Sequence, residues 1–493
     1  MALPSPQEVR DLILRALPQD IPALYRAEDL QPRYVYFPPS HTKALRPDTM
    51  VVVGMRGAGK SFWWAALQNQ KVRNLIAQVD RYARIEASTE VYVGFGPQPA
   101  IERYPDRDVL SHLLKAGREA RLIWRTLVAS NLLPGRIPGS WKEKVEWVEQ
   151  HPEEIARWLE EKDWELAGKG TYALILFDAL DQAAYDWREM YTLIRGLLQV
   201  ALELRSTRRI RLKVFLRPDQ MEESRVATFP DASKVVSSRI PLTWLRLDLY
   251  GLLWQYLANT EGAETFRRWE VEDKGFSVKI KWESLQVDGE TIWRWPGVLR
   301  EEENLYRRLF HQIAGEWMGR DPKRGFPYSW LPGHLADAHG QTSPRSFLAA
   351  IRAAAEDTQQ RYPDHEYPLH YESIKRGVQW ASEIRVGELK EDYPWVDTLM
   401  QPLRGLLVPC EFENIQERWE QEGVLQKLQE QPPGEAKLLP SHLGEGYPGL
   451  RKDLESLGIF LSLEDGRVNI PDVFRVGYGL GRRGGVKPLS GAG

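Results

Sequence analysis

The hydrophobic positions of this 493-residue chain fall into short runs separated by longer stretches with helical spacing. Two of the runs are apolar throughout, which is typical of parallel strands covered on both faces. Strands that alternate with helices in this order predict an α/β fold with a doubly wound parallel sheet. The candidate strands lie at residues 50–53, 90–94, 172–177, 211–216 and 239–245.

Three regions of the N-terminal half are predicted from this pattern. Residues 1–45 form a leader with a short amphipathic helix, and residues 46–247 form the α/β core. Within the core, residues 106–169 combine helical spacing with three prolines. That combination predicts a helical insertion between the second and third strands.

The C-terminal half predicts two further regions. Residues 248–382 are mainly helical, with strand-like alternation at 276–295 that contains the hairpin signal Asp288-Gly289. We expect a helical lid with a small β insertion there. Residues 383–493 predict a winged-helix-like domain, because a helix is followed by two short strands that meet at Asp465-Gly466, and then a glycine-rich tail.

A glycine-rich segment follows the first candidate strand and precedes a helix-like stretch that begins at Phe62. Its sequence is Gly54-Met55-Arg56-Gly57-Ala58-Gly59-Lys60-Ser61. This is the strand, loop and helix order of a phosphate-binding P-loop, in which backbone N–H groups and a helix N-terminus face the phosphates. Lys60 would reach the β- and γ-phosphates, and the Ser61 hydroxyl would bind Mg²⁺. The alternative is a chance match in an ordinary glycine turn.

A carboxylate at the tip of a buried strand is the usual partner of a P-loop, because it holds the Mg²⁺ ion and its water shell. Asp178 follows the apolar third candidate strand, and Asp181 comes three residues later. Asp178 could instead cap the next helix. Asp181 could polarise an attacking water molecule, cap a helix or pair with an arginine.

Composition narrows the class of protein. Hydrophobic residues make up 42% of the chain, charged residues 27%, and the net charge is −3, as expected of a soluble globular protein without a global affinity for nucleic acid. We find no apolar run long enough for a membrane span and no signal peptide. The single cysteine, Cys410, excludes an internal disulfide, so a cytoplasmic location is expected. His334 and His339 have poor spacing for a metal site.

Taken together, these segments resemble the STAND and KAP-like bacterial ATPases, which lie close to the AAA+ group of P-loop NTPases. The resemblance rests on residues 54–61 and 173–181, on the fourth strand with 212–219, and more weakly on 242–249 and 342–348. It implies an ATP- and Mg²⁺-binding core, a helical lid and a C-terminal winged helix. It also implies a role in bacterial defence, with a protein partner or self-assembly.

The resemblance implies that two arginines read the nucleotide. Arg217 follows the fourth strand, where such proteins place a sensor of the γ-phosphate; the alternative is a salt bridge to Asp219 or Glu223. Arg345 opens a helix, where a cation is locally unfavourable. It would be stabilised by phosphate or by a carboxylate of a neighbouring domain. Aromatic residues at 34–37 could contact an adenine ring or pack in the core.

One departure from the family bears on the rate of hydrolysis. Many AAA+ motors carry a water-activating Glu directly after the Mg²⁺-binding Asp, and this chain has Ala179 there. We therefore expect a slow ATPase that acts as a switch. The alternatives are a DNA-binding AAA+ ATPase, which the acidic wing residues Glu464 and Asp465 do not favour, and a scaffold that retains ATP.

Overall fold

The computed structural model describes residues 5–19, 25–273, 276–430, 439–483 and 486–487. Most of the predicted glycine-rich tail beyond residue 483 therefore lies outside the described residues. No helix in the described ranges has both the length and the apolar character that a membrane crossing requires.

A five-stranded parallel sheet forms the centre of the N-terminal half and confirms the predicted fold class. Its order is β2-β3-β4-β1-β5, and Val52 of β1 lies between Phe215 and Ile240 of its neighbours. The fifth strand is shorter than predicted, because its neighbour in the described sheet, β1, ends at Val53, whose carbonyl accepts a hydrogen bond from the Leu242 N–H at 2.7 Å. The strands are β1 (Val51–Val53), β2 (Glu90–Phe95), β3 (Ala173–Phe177), β4 (Ile210–Leu216) and β5 (Ile240–Pro241).

Helices precede, connect and cover these strands, and the predicted insertion at 106–169 is helical. Asp106 caps the first helix of the insertion, and Gly170 ends the last one in a left-handed conformation at φ 69°. The helices are α1 (Pro6–Ala16), α2 (Thr42–Leu45), α3 (Lys60–Gln68), α4 (Gln70–Val79), α5 (Arg107–Lys115), α6 (Ala120–Leu132), α7 (Trp141–Gln150), α8 (Pro152–Lys169), α9 (Trp187–Leu204), α10 (Glu223–Val226) and α11 (Ala232–Ser237).

The insertion packs directly on the sheet. Strand β3 is buried along its whole length, and the buried Trp124 of α6 meets Phe177 edge to face, with 5.6 Å between ring centroids. A side chain at Gly94 would collide with the Phe177 ring, since a Cβ atom there would lie 2.3 Å from Cζ. The sheet and the insertion therefore share one hydrophobic core.

The described part of the C-terminal half is mainly helical and contains three antiparallel strand pairs. The β insertion begins at Glu270, six residues before the predicted start. The elements are α12 (Arg246–Asn259), α13 (Glu264–Arg267), β6 (Glu270–Asp273), β7 (Phe276–Lys279), β8 (Glu283–Val287), β9 (Glu290–Arg294), α14 (Glu303–Ala314), α15 (Pro327–Leu335), α16 (Pro344–Arg361), α17 (Tyr371–Asp392), α18 (Pro394–Met400), α19 (Phe412–Gln421), α20 (Val424–Gln429), α21 (Tyr447–Ser456), β10 (Leu461–Ser462), β11 (Val468–Asn469) and α22 (Asp472–Gly477).

Helix α17 runs through the predicted boundary between residues 382 and 383. Gly377 on this helix lies against α16, since a Cβ atom there would be 2.2 Å from the Ala350 carbonyl oxygen. Gly477 of α22 lies equally close to α17, with a Cβ position 2.5 Å from Val386. The predicted lid and the helix-and-hairpin region thus share a hydrophobic core, to which α1 also contributes. Their division into separate domains stays a prediction.

His41 joins the N-terminal segment to the core. Its Nδ1 accepts a hydrogen bond from Trp63 Nε1 at 3.0 Å, and its Nε2 donates to the Thr243 carbonyl at 3.0 Å. The bond from Trp63 requires an unprotonated Nδ1 and therefore a neutral ring. Burial lowers the pKa of His41 from 6.5 to about 3.

Acidification should therefore destabilise the protein through His41. As the pH falls below about 6.5, the unfolded chain takes up the proton first, and the stability present above that pH is lost. Between pH 7 and pH 5 we expect a loss of about 2 kcal/mol from this residue. Urea unfolding at both pH values should show a smaller difference in H41Q, which keeps a donor and an acceptor but does not titrate. An equal difference in both proteins would contradict this assignment.

Candidate nucleotide site

A cavity of about 330 Å³ opens at the carboxyl ends of β1, β3 and β4. In a parallel sheet this edge, where the connections diverge, is the usual ligand crevice. Because β4 lies between β1 and β3, the side chains that follow all three strands meet in one place. The cavity is lined at this end by Lys60, Ser61, Asp178, Asp181 and Arg217.

The segment at 54–61 has the backbone shape that a phosphate loop needs. Gly57 and Gly59 are left-handed, with φ of 79° and 96°, a conformation in which a side chain is strained. Helix α3 starts at Lys60, and the Trp63 N–H donates to the Gly59 carbonyl in its first turn. The N–H groups at the start of such a helix have no partner within it, so they are available to an anion.

Predicted loop residues divide between two sides of the loop. Arg56, Gly57, Gly59, Lys60, Ser61 and Phe62 line the cavity at the strand ends. Gly54, Met55 and Ala58 face a second cavity of about 400 Å³ behind the loop, which Arg56 also lines. The carbonyls of Gly54 and Met55 accept hydrogen bonds from Lys60 Nζ, at 2.6 and 3.0 Å.

Among the described residues, no carboxylate lies in hydrogen-bond contact with the Lys60 ammonium group. Burial lowers the pKa of Lys60 to about 8, and the charge of Asp178 offsets part of this effect. A desolvated ammonium bound only to backbone carbonyls is poorly stabilised. An anion in the cavity, such as a phosphate, would give the Lys60 ammonium group a partner of opposite charge.

Asp178 fits the role of an Mg²⁺ ligand. Only 3% of the residue is exposed, and within the described ranges its Oδ2 atom has no hydrogen-bond partner. Burial raises the pKa of this carboxyl, while a hydrogen bond from Ser61 and the charge of Lys60 oppose the rise. A buried carboxylate oxygen without a partner is unfavourable unless a ligand satisfies it. Asp178 and the Ser61 hydroxyl are the oxygen donors that Mg²⁺ prefers.

Arg217 is buried between two carboxylates. Its Nε lies 3.3 Å from Asp219, its Nη1 lies 3.4 Å from Asp181, and its guanidinium stands 4.9 Å from the centre of the Tyr393 ring. The predicted pairing with Asp219 is present, yet Arg217 lines the cavity and is only 8% exposed. Three roles were expected for Asp181, and the described structure contains one of them, the pairing with an arginine.

Ala179 turns the chain away from β3. It is left-handed, with φ of 54°, which is uncommon for a residue other than glycine. The short 3₁₀ helix Leu180–Gln182 follows and brings Asp181 and Gln182 to the cavity wall. The residue directly after Asp178 thus has only a methyl side chain in place of a water-activating Glu. The next carboxylate along the chain is Asp181.

Arg345 and Arg56 stand at the side of the cavity formed by the helical half. Arg345 binds Glu388 of α17, as expected for the alternative in which a carboxylate of another region stabilises it. Arg56 is surrounded by Glu388, Glu391 and Asp392 of the same helix. Burial lowers the pKa of Arg56 to about 10, and Glu388 opposes this effect. Both arginines also line the cavity.

Aromatic side chains also line the cavity. Tyr34 and Tyr36 from the predicted aromatic segment line it, with Tyr25, Phe62, Trp244 and Tyr256. The Tyr34 and Tyr256 rings are stacked, with centroids 5.2 Å apart, and Trp244 Nε1 donates to the Ala58 carbonyl at 2.8 Å. This wall is suited to a flat aromatic base.

Several lining residues were not predicted from the sequence. Tyr25, Trp244, Tyr256, Glu391 and Asp392 come from segments distant in the chain. The sequence did offer an indication for Glu391 and Asp392, because carboxylates in the last turn of a helix oppose its dipole and need a cation nearby. Elsewhere, the described ranges hold no cluster of potential metal ligands, and Cys410 is buried.

Comparisons with known proteins assign no family to the chain. No protein-family model matches it, and no curated protein sequence does. Among solved structures it is similar to Cdc6p from Pyrobaculum aerophilum, at 11% identity over 94% of this chain and 93% of that chain, with a TM-score of 0.32.

Two structures of the Aeropyrum pernix ORC2 protein are also similar. The ADPNP–ADP complexes match at 14% identity over 95% of this chain and 98% of that one, with a TM-score of 0.28. The ADP form matches at 12% identity over 94% and 93%, with a TM-score of 0.30. At such values the similarity supports no assignment of function.

Replacing Asp178 should separate stability from ligand binding. In D178N the desolvation cost of the buried carboxylate is removed while Lys60 loses a neighbouring negative charge, so the ligand-free protein should have a stability within about 1 kcal/mol of the wild type. Mg²⁺-dependent stabilisation by nucleotide should disappear, because the metal loses its carboxylate. Scanning calorimetry with and without Mg²⁺ measures both effects. A loss of stability well beyond this range in the ligand-free variant would show that Asp178 has a structural role instead.

Proposed function

We propose that this protein is an ATP-binding, slowly hydrolysing regulatory ATPase of the AAA+ type that acts as a nucleotide-dependent switch. The observation that carries the proposal is the buried, unpartnered Asp178 Oδ2 beside Ser61 and Lys60 at the start of α3. A protein that did not bind a metal–phosphate group would gain nothing from this arrangement. The triphosphate would occupy the end of the cavity near β1, and the adenine would lie against the aromatic wall.

Slow hydrolysis is supported by the immediate surroundings of Asp178. Ala179 cannot activate water, and Asp181 is engaged with Arg217 at 3.4 Å. While this ion pair is intact, Asp181 is held by Arg217 and is not placed for contact with an attacking water. We infer that Asp181 orients or activates the attacking water only once the γ-phosphate has drawn Arg217 away.

The switch would act on a protein partner or on a second copy of the chain. Lid residues contact the P-loop directly, since Ser343 Oγ donates to the Gly57 carbonyl at 3.4 Å. The helix that follows, α16, packs closely on α17 and through it on α22. A change at the phosphates could thus reach the C-terminal region, which we take to be a winged helix. A setting in bacterial defence stays a prediction.

No specific observation favours the DNA-binding alternative. Within β4, Lys213 is buried and donates to the carbonyls of Ala44, Arg46 and Thr49, and Arg211 pairs with Asp48. At the predicted wing, Arg467 pairs with Asp465. These charges have partners within the protein.

Nucleotide binding should depend on Lys60. In K60A we expect binding of Mg²⁺-ATP to fall below detection by titration calorimetry, because the buried cation that meets the β- and γ-phosphates is lost. K71A removes an exposed lysine from the neighbouring helix α4 and serves as the matched control. Unchanged affinity in K60A would refute the proposed site.

Hydrolysis should depend on Asp181 more than binding does. For D181N we expect phosphate release to fall about tenfold or more in single-turnover assays, while the dissociation constant of Mg²⁺-ATP changes less than about threefold. Loss of affinity with an unchanged rate would assign Asp181 to nucleotide binding. The same assays on the wild type test the slow rate.

A further inference from the structure

Two helix ends at the cavity carry charges of the wrong sign for the helix dipole. Arg345 lies in the first turn of α16, where a cation is unfavourable, and Glu388, Glu391 and Asp392 lie in the last turns of α17, where anions are unfavourable. Apart from the Glu388–Arg385 pair within α17, the ion pairs of these charges are made with other segments of the chain. We name Glu388, Glu391 and Asp392 the acidic end of α17.

The acidic end of α17 binds arginines on three sides of the cavity. Glu388 contacts Arg345 and also lies 3.5 Å from Arg385. Asp392 contacts Arg56 of the P-loop and stands 4.0 Å from Arg217 Nη1. Glu391 is 3.7 Å from Arg56 but is largely exposed. One helix end thus reaches the arginine of the P-loop and both arginines predicted to read the nucleotide.

The chain is held in place directly after the acidic end. Tyr393 is buried, its hydroxyl donates to Asp219 Oδ2 at 2.8 Å, and its ring lies beside Arg217. Asp219 itself pairs with Arg217. The end of α17 is therefore attached to the end of β4, next to the position of the γ-phosphate in the proposed site.

We propose that the acidic end of α17 is an internal anion that occupies the arginines of the site when the γ-phosphate is absent, and that ATP, but not ADP, displaces it. This inference rests on the proposed function. Side-chain exposure is 18% for Arg56, 16% for Arg345 and 9% for Arg217, so these cations need an anion at all times. The carboxylates supply it in the ligand-free protein, and the γ-phosphate brings a competing anion to the same guanidinium groups.

Displacement of the acidic end would move α17 as a body. Its close contacts at Gly377 with α16 and at Gly477 with α22 leave no room for sliding without a shift of those helices. Release of Glu388 and Asp392 is thus the step through which the C-terminal region would respond differently to ATP and to ADP.

The experiment compares the affinities for ATP and ADP by titration calorimetry in Mg²⁺. In D392N the competing anion is weakened, so we expect ATP to bind about tenfold more tightly, while ADP stays within about twofold of the wild type. E388Q should act in the same direction. E383Q makes the same charge change on an exposed position of α17, away from the cavity, and is the matched control.

Other results would overturn the inference in recognisable ways. If D392N and E388Q bind both nucleotides as the wild type does, or bind ATP more weakly, the carboxylates do not compete with the γ-phosphate. If the wild type binds neither nucleotide, the proposed function itself fails. Hydrogen exchange on the wild type needs no variant: amides at 386–392 should exchange faster with a non-hydrolysable ATP analogue than with ADP, and equal or slower exchange contradicts displacement.

Discussion

The site depends on the convergence of three parallel strands, β1, β4 and β3, whose carboxyl ends bring Lys60, Arg217 and Asp178 to one buried place. Two cations and a carboxylate at this depth are unfavourable in isolation. Lys60 is bound to backbone carbonyls, and one oxygen of Asp178 has no partner. The sheet and its covering helices supply the stability that keeps these groups in place, and a metal–phosphate ligand would satisfy them.

The same constraint accounts for the contacts of the helical half. Arg56, Arg217 and Arg345 each end at the cavity, and each has a carboxylate partner from another segment of the chain. Helix α17 supplies most of these partners and packs on both α16 and α22. The phosphate end of the cavity is therefore connected to the C-terminal region through ion pairs, in which one anion can replace another. It is also connected through close helix packing, in which a displacement of one helix must move its neighbours.

Local patterns were enough to predict the sheet, the glycine turn before α3 and the position of Asp178 at the end of β3; the P-loop role of residues 54–61 stays a prediction. These features depend on neighbours in sequence: apolar runs, glycines at left-handed positions and a polar residue directly after a strand. The length of β5 was overestimated, because the neighbouring strand β1 ends at Val53 while the apolar run continues beyond Pro241. The partners of Arg56 and Arg345 and the aromatic wall around Tyr256 could not be predicted, since they depend on contacts between segments far apart in the chain. The helix that crosses residues 382 and 383 was missed because a change in composition does not require a change in backbone direction.

The most direct test of the account is an experimental structure of the protein with Mg²⁺ and a non-hydrolysable ATP analogue. We predict a metal ion bound by Ser61 and Asp178, with Lys60 on the β- and γ-phosphates. Arg217 should contact the γ-phosphate, and Arg56 should be separated from Asp392. A nucleotide bound elsewhere, or one bound here without any contact to Asp178 through the metal, would contradict the central claim.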